Sequence, residues 1–276
     1  NQSCYQRLQR EELMLLTAGC SFVWGDELEG FDDNPPTHWS LTWTHLVAEK
    51  MGIPYVNRGV CGACNDKIFR EVTDYLWSNQ NNLPTHIAVM WSAWQRTELV
   101  EYVSDELEMK IGRQQNVTQF SPLRLDLIRD RATRHILASW FQDAYNTRTD
   151  MLHTFTKMKT LEVICDAMGI KLIQGTFHSR CKSNLMATLT DFTPDGETLS
   201  VEQKIDSVPE YKEWLTTALS NLRDTSKVGF TFGKDLYTIC KELDDMKPYG
   251  HPGERSQVVF ADFIFETFMK MEQGVL

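Results

Sequence analysis

Two side chains near opposite ends of the sequence have the chemistry of a nucleophile and its base. Ser21 follows a short apolar run directly, at a predicted turn from strand into helix. A hydroxyl in such a turn lies near backbone N–H groups that have no partner within the helix. His251 stands in a Tyr-Gly-His-Pro-Gly loop before the last predicted helix, and an imidazole exchanges its proton near neutral pH. Each also has a simpler interpretation, Ser21 as a helix cap and His251 as an exposed loop residue.

A second segment, Gly59–Asn65, has two glycines at the start of another predicted helix. Glycines there let backbone N–H groups approach a ligand closely. Cys61 and Cys64 also form a C-x-x-C pair, which is typical of a redox site or of half a zinc site. The flanking Trp and Pro of a thioredoxin-like site are missing, and no second Cys/His pair follows at short spacing. We therefore predict neither a metal nor another cofactor, and a close-packed turn of small residues remains the alternative.

A third polar group follows the next apolar run, in the stretch Trp-Ser-Ala-Trp-Gln-Arg. Ser92 can offer a hydrogen bond to a ligand, and the guanidinium of Arg96 can bind an anionic or carbonyl-bearing substrate. Trp94 is typical either of a pocket wall or of the hydrophobic core. These residues are predicted to lie near Ser21 if their strands share a sheet.

Taken in order, the segments resemble the motif blocks of the SGNH (GDSL-like) hydrolase family. The first block matches Gly19–Leu28, the second matches Asn57, Gly59 and Gly62, and the last matches His251-Pro252. The pattern also looks like uncharacterised versions carried by tailed phages. The resemblance covers both ends of the chain and leaves residues 97–248 without a counterpart.

This resemblance implies roles for individual residues. Ser21 would be the nucleophile and His251 the base, with the backbone N–H groups of Ser21 and Gly62 as oxyanion donors. The family also supplies an Asn from its third block, which is absent here, so that Ser92 or Asn65 would have to donate instead. Losing one oxyanion donor costs about 10²–10³ in rate.

The acid that the family places three residues before its histidine is also missing. That position is Pro248, and the nearby Asp244 and Asp245 stand in another register. A Ser–His pair can work without the acid if a backbone carbonyl orients the imidazole. Losing the orienting acid can nevertheless lower the rate by up to ~10⁴.

We therefore predict a deacetylase-like serine esterase or acyl hydrolase that acts on a small-molecule or glycan ester. Ser21 and His251 would carry the chemistry, and Arg96 and Trp94 would contact the substrate. Two alternatives remain open: a catalytically weakened SGNH-fold module with a binding or structural role, and an acyltransferase.

The elements that must position these residues alternate between strand and helix. Short apolar runs predict four buried strands, at Leu13–Thr17, Pro54–Asn57, Ile87–Trp91 and Ile170–Gln174. Amphipathic spacing predicts the main helices, at Trp43–Met51, Asp66–Trp77, Leu161–Met168 and Gln257–Met271. This alternation is typical of a three-layer α/β/α fold with a mostly parallel sheet, in which functional loops gather at the carboxyl ends of the strands.

No linker or repeat divides the chain, so a single SGNH-hydrolase-like domain is predicted over residues 1–276. Residues 100–160 are expected to form a helical insertion without a strand. A polar stretch with a Pro-Asp-Gly turn predicts a second, surface insertion over about residues 183–235.

Composition narrows the class of protein. With 42% hydrophobic residues and a net charge of −10, the chain is unlike proteins that bind a nucleic-acid backbone with basic side chains. The apolar runs are much shorter than the ~20 residues of a membrane span, and the first residues lack the apolar core of a signal peptide. Seven cysteines is an odd number, which favours the cytoplasm, or association with a virion if a phage encodes the chain.

Overall fold

A computed structural model describes most of the two ends of the chain and parts of its middle. The described residues are 13–33, 37–93, 96–100, 117–120, 147–176, 213, 217, 220–223 and 235–276. The strands are β1 (Leu15–Gly19), β2 (Tyr55–Gly59), β3 (His86–Trp91), β4 (Thr97–Val100), β5 (Val117–Phe120) and β6 (Lys171–Thr176). The α-helices are α1 (Ser21–Trp24), α2 (Trp43–Met51), α3 (Asn65–Ser78), α4 (Thr147–Met168), α5 (Leu236–Glu242) and α6 (Glu254–Glu272).

The main sheet has four parallel strands in the order β2-β1-β3-β6. Its two central strands, β1 and β3, are buried along their whole length. Helices α2 and α6 pack together on one face, and α3 and α4 pack together on the other. This is the predicted three-layer α/β/α arrangement, and the near-continuous apolar sequence of β1 and β3 follows from burial on both faces.

Local sequence signals set the helix boundaries. Thr42 caps α2 by accepting a hydrogen bond from the backbone N–H of His45, and Gly52 ends the helix in the left-handed region at φ 65°. Helix α6 begins after Gly253, with Glu254 in its first turn and Lys270 in its last. Those charges oppose the helix dipole at each end.

Gly59 is required where the carboxyl end of β2 meets the first helix. A Cβ atom at this position would lie 2.6 Å from the backbone nitrogen of Trp24 and 2.9 Å from the carbonyl carbon of Val23. Any side chain would therefore push α1 away from the sheet. The glycine thus allows α1, which begins at Ser21, to lie close against the end of β2.

Several predicted boundaries differ from the structure. The first strand begins at Leu15 rather than Leu13, and the strands predicted to end at Asn57 and Gln174 each continue for two further residues. The helix predicted from Leu161 begins at Thr147, because polar residues on the exposed face of a helix carry little periodic signal.

The prediction that residues 100–160 lack a strand is wrong. Strand β5 pairs with β4 in an antiparallel two-stranded sheet, in the register Val100 opposite Val117. A strand of four residues is too short for its alternation to be distinguished from a helix by sequence pattern. Most of the predicted insertion over residues 183–235 lies outside the described residues.

No helix in the described residues is long and apolar enough to cross a membrane.

Candidate active site

Ser21 is the first residue of α1, immediately beyond the carboxyl end of β1. The backbone N–H groups of Val23 and Trp24 both bond to the carbonyl of Cys20, so the helix begins at this point. The N–H of Ser21 lies in the first turn, where an α-helix provides no partner of its own. Ser21 is only 4% exposed, and the turn holds its side chain at the edge of the sheet.

His251 is held in a tight loop between α5 and α6. The N–H of Lys247 bonds to the carbonyl of His251 over 2.8 Å, and Gly250 takes a left-handed φ of 91° inside the turn. The ring of Phe22 contacts the imidazole edge to face, with ring centroids 5.5 Å apart. The backbone turn and the aromatic neighbour together restrict the orientation of the ring.

The structure brings these two residues together, although they are 230 positions apart in the chain. The Nε2 atom of His251 lies 3.0 Å from the Oγ atom of Ser21. The other ring nitrogen, Nδ1, lies 2.6 Å from Oε2 of Glu27. A carboxylate accepts hydrogen bonds, so Nδ1 carries a proton and donates a hydrogen bond to Glu27. In the neutral ring, Nε2 is then free to accept the proton of the Ser21 hydroxyl.

Glu27 also bonds to the backbone of the loop that carries His251. Its carboxylate also accepts the backbone N–H of Tyr249 over 2.9 Å and that of His251 over 3.3 Å. Partial burial acts to raise the pKa of Glu27. The hydrogen bonds from Tyr249 and His251 and the charge of His251 outweigh burial, so the net effect is a lowered pKa. Glu27 is therefore a carboxylate at neutral pH.

The backbone of Glu27 is unusual as well. Its φ is 66°, and only one other non-glycine residue of the described chain, Asp244, has a positive φ. Such a conformation costs a non-glycine residue about 1–3 kcal/mol and tends to occur where function requires it. Here the bend at Glu27 is accompanied by the three hydrogen bonds of its carboxylate to the histidine loop.

Sequence analysis missed Glu27 as the partner of His251. The expected place for an acid was just before the histidine, where Pro248 stands, whereas Glu27 comes from the loop after Ser21, 224 positions away. Asp245 has another task, because its Oδ2 accepts the backbone N–H and the hydroxyl of Ser256 at the start of α6. The only sequence signal for Glu27 is its place in the acidic stretch that follows the serine.

A second carboxylate approaches the other side of the imidazole. Oδ2 of Asp26 lies 3.4 Å from Nε2 of His251, and the Asp26 side chain is 23% exposed. The negative charge of this carboxylate also acts on the thiol of Cys61. Partial burial of the thiol, reinforced by that charge, raises the pKa of Cys61 to about 12.

The C-x-x-C pair does not have the properties of a redox site. Cys61 and Cys64 are not joined in a disulfide, and the first is exposed whereas the second is buried. A reactive cysteine of such a site has a lowered pKa, whereas that of Cys61 is raised. Gly62, between them, is exposed and has a φ of 77°, which favours glycine and turns the backbone of this loop.

Asn65 does not have the role expected of it. Its Nδ2 group donates to the carbonyl of Ser92 over 3.3 Å and to Oγ1 of Thr154 over 3.0 Å, and its Oδ1 accepts the N–H of Ser92 over 2.7 Å. Both amide hydrogens are used, so none is left for an oxyanion. Asn65 instead ties the start of α3 to the end of β3 and to α4.

The remaining predicted residues follow β3. Ser92 is fully buried, and its Oγ atom has no hydrogen-bond partner among the described residues. Nη1 of Arg96 lies 3.4 Å from the carbonyl of Ala63, which places the guanidinium beside the Gly62 loop. Trp94 lies outside the described residues.

Comparisons with known proteins give structural matches only. No protein-family model matches the sequence, and no curated protein matches it as a relative. The chain is similar to a solved lipolytic protein of the G-D-S-L family from Desulfitobacterium hafniense, with 9% identity, a TM-score of 0.40 and coverage of 92% of this chain and 99% of that one. A lipolytic G-D-S-L protein from Veillonella parvula matches at 13% identity and a TM-score of 0.43, with coverage of 94% and 99%.

A third solved structure is the psychrotrophic esterase EstA from Pseudoalteromonas sp., inhibited by monoethylphosphonate. It matches at 12% identity and a TM-score of 0.46, over 95% of this chain and 100% of that one. The matched structures thus include the family that the sequence motifs resemble. At these identities and TM-scores, none of them bears on what this chain acts on, which has to follow from its own site.

Proposed function

We propose that this protein is a serine esterase or acyl hydrolase in which Ser21, His251 and Glu27 act together. One observation carries the proposal: the hydroxyl, the imidazole and the carboxylate form a continuous chain of hydrogen-bond contacts, at 3.0 Å and 2.6 Å. A nucleophile, a base and a group that orients the base are the parts that acyl transfer through an enzyme-bound ester requires.

In the first step, Oγ of Ser21 attacks the carbonyl carbon of the ester while its proton passes to Nε2 of His251. Glu27 holds the ring in the required tautomer and balances the charge of the imidazolium. The bond between the carbonyl carbon and the alcohol oxygen then breaks, and the alcohol leaves with the proton from Nε2. Water attacks the acyl-serine with His251 again as the base, which releases the acid and restores Ser21.

The negative oxygen of the intermediate needs hydrogen-bond donors. The backbone N–H groups of Ser21 and Gly62 are the proposed pair, supported by the position of Ser21 at a helix start and by the exposed, left-handed turn at Gly62. The hydroxyl of Ser92, which is buried and unpartnered among the described residues, is the candidate for a third donor. Arg96, beside Gly62, is proposed to contact the substrate, as is Trp94. The acyl group is proposed to be a small one such as acetyl.

The test is covalent labelling. A fluorophosphonate probe is expected to modify the parent protein at Ser21, located by mass spectrometry of the digested protein, and Ser21→Ala is expected to lose all labelling. The parent is also expected to release p-nitrophenol from short-chain p-nitrophenyl esters, with a loss of at least about 10³-fold in Ser21→Ala.

Ser40→Ala is the matched control, because Ser40 is an exposed serine and, among the described residues, has no hydrogen bond to Ser21, Glu27 or His251. It should label and turn over ester like the parent. Labelling that persists in a folded Ser21→Ala variant, or a folded parent that neither labels nor hydrolyses any ester, would contradict the proposal.

A further inference from the structure

We propose that Asp26 determines substrate specificity by selecting esters whose alcohol carries a positive charge. The inference rests on the proposed esterase function, because it concerns the group that leaves when Ser21 is acylated. It assigns a task to the second carboxylate of the site, which the steps above leave unused.

Geometry limits where the leaving group can lie. The alcohol oxygen must come within hydrogen-bond distance of Nε2 of His251, because that nitrogen returns the proton. Oδ2 of Asp26 lies 3.4 Å from the same nitrogen. The first few atoms of the alcohol therefore pass close to the Asp26 carboxylate, whatever the rest of the substrate is.

The charge of Asp26 is little compensated before substrate binds. Within the described part of the chain, His251 is the only basic side chain in ion-pair distance of Asp26. Neither Arg96 nor Lys247 forms an ion pair with Asp26: Nη1 of Arg96 lies 3.4 Å from the carbonyl of Ala63, and Nζ of Lys247 lies 2.8 Å from both Glu254 oxygens. Cys61, whose pKa is raised to about 12, contributes only a neutral thiol and no compensating charge.

A fixed negative charge at this distance discriminates between substrates. Two unit charges a few ångströms apart at a partly exposed site interact strongly enough to change kcat/KM by about tenfold. An ammonium group on the alcohol is attracted, a neutral group of the same shape is not, and an anionic group is repelled. Glu27 does not supply this preference, because its carboxylate is bound to Nδ1 on the far side of the ring.

The experiment compares three esters that share one acyl group, chosen as the fastest in the p-nitrophenyl series. Their alcohols are choline, its neutral isostere 3,3-dimethylbutanol, and an anionic hydroxyalkyl sulfonate. The full chain is expected to prefer the choline ester to the neutral ester by about tenfold in kcat/KM at low salt, and the anionic ester is expected to be the poorest. Added salt should reduce the preference.

Asp26→Asn is expected to abolish the difference between the choline ester and its isostere. Asp32→Asn is the matched control: it removes one negative charge from an exposed position of the same loop and should keep the preference. A difference between the parent and Asp26→Asn in kcat/KM on the neutral ester shows separately how Asp26 affects His251 as the base, because that substrate has no charge for Asp26 to attract.

The outcomes separate the two proposals. Equal rates for the choline and neutral esters in the parent, or a preference that survives in Asp26→Asn, would overturn the role of Asp26 and leave the esterase proposal intact. A folded parent that hydrolyses none of the esters and is not labelled by a fluorophosphonate at Ser21 would overturn both. If Asp26→Asn does not fold, the ratio measured in the parent decides alone.

Discussion

The described part of the chain contains two histidines that each join a hydroxyl to a carboxylate, at opposite edges of the same sheet. At the carboxyl edge, His251 lies between Ser21 and Glu27. At the amino edge, Nδ1 of His86 lies 2.9 Å from Oγ1 of Thr85, and Nε2 lies 3.0 Å from Oε1 of Glu272. Helix α6 begins beside the first group and carries Glu272 at its far end.

The two groups differ in what surrounds the hydroxyl. Oγ1 of Thr85 also lies within hydrogen-bond distance of both the N–H and the carbonyl of Met14, so the backbone occupies it. Ser21 instead stands at a helix start beside an exposed glycine loop. The His86 side chain is 3% exposed and the His251 side chain is 18% exposed, so only the second can meet a substrate.

The charges around the two rings differ as well. Glu272 also pairs with Lys171. The hydrogen bond from Lys171 lowers the pKa of Glu272, and it outweighs partial burial, which acts to raise that pKa. Among the described residues, Glu27 has no such lysine partner, and the hydrogen bonds of its carboxylate all go to the histidine loop. Three suitable groups in hydrogen-bond contact are therefore insufficient for catalysis. An unoccupied hydroxyl, oxyanion donors and access for a substrate must accompany them.

The largest difference between the two groups should appear when their glutamates are neutralised. Glu27→Gln keeps the size of the side chain but loses the charge that orients His251 and balances its imidazolium, so kcat/KM for a p-nitrophenyl ester should fall by about 10²–10⁴-fold. Glu272→Gln is the same chemical change at the other edge. It should leave kcat/KM within about twofold and lower the free energy of unfolding by about 0.5–1.5 kcal/mol.

Steady-state kinetics and urea unfolding of both variants provide the measurement. The distinction between a reactive and a structural group would be lost if Glu272→Gln impaired turnover as much as Glu27→Gln did. Full activity in Glu27→Gln would mean that His251 needs no carboxylate.

A smaller effect is expected from Asn65, whose amide bonds to Ser92 and Thr154 and so ties the start of α3 to the end of β3. Asn65→Ala would leave the buried N–H of Ser92 without its partner, at a cost of about 1–3 kcal/mol in the free energy of unfolding. The loop that carries Gly62 precedes α3 directly, so kcat should fall by about tenfold while KM changes little. Asn65→Asp keeps the acceptor for the N–H of Ser92 but places a buried carboxylate oxygen against the carbonyl of Ser92, so it should not restore the stability of the parent.

Unchanged kcat in a folded Asn65→Ala variant would separate this network from catalysis. Thr73→Ala, at a half-buried position further along the same helix where the hydroxyl bonds only to carbonyls of α3, is the comparison for a loss of helix stability alone.

The smallest effect concerns pH and belongs to the structural group. Burial, and to a lesser degree the charge of Lys171, lower the pKa of His86 in spite of the hydrogen bond and charge of Glu272. As the pH falls, His86 of the unfolded chain therefore takes up a proton near its ordinary pKa of about 6.5, whereas His86 of the folded chain does so only at a lower pH. The contribution of a neutral His86 to the free energy of unfolding is fully present above that pH, and it is lost as the pH drops toward the pKa of His86 in the folded chain.

His86→Gln should flatten this part of the stability profile, as measured by urea unfolding at about pH 7.5, 6.5 and 5.5. The lowered pKa values of Glu27 and Glu272 act in a separate window, since the stability they contribute is lost only below about pH 4.5. An identical slope in the parent and in His86→Gln would contradict the assignment.

Much of the fold could be predicted from local sequence. The helix Trp43–Met51 agrees with the structure at both ends, because a threonine cap and a following glycine mark it. The four strands of the main sheet were predicted from their apolar runs, which burial on both faces requires, but their order in the sheet was not. The paired strands β4 and β5 were missed, because four residues carry too little pattern.

The candidate site was predictable in part. Ser21, Gly62 and His251 stand in short motifs that can be recognised along the chain, and the structure brings Ser21 and His251 into contact. The roles of Glu27 and Asp26 could not be found in this way, because no sequence spacing links the loop after β1 to the loop before α6. The hydrogen bonds of Asn65, which span 27 and 89 positions, were hidden for the same reason.

The sequence by itself determined which segments become strands and helices, through apolar periodicity, caps and glycines, and it marked a serine and a histidine in turns. Only the tertiary structure decided which carboxylate holds the histidine and which approaches its other nitrogen. Hydrogen bonds and charge contacts depend on distances in space. A parallel sheet collects the carboxyl ends of its strands at one edge, whatever their separation along the chain.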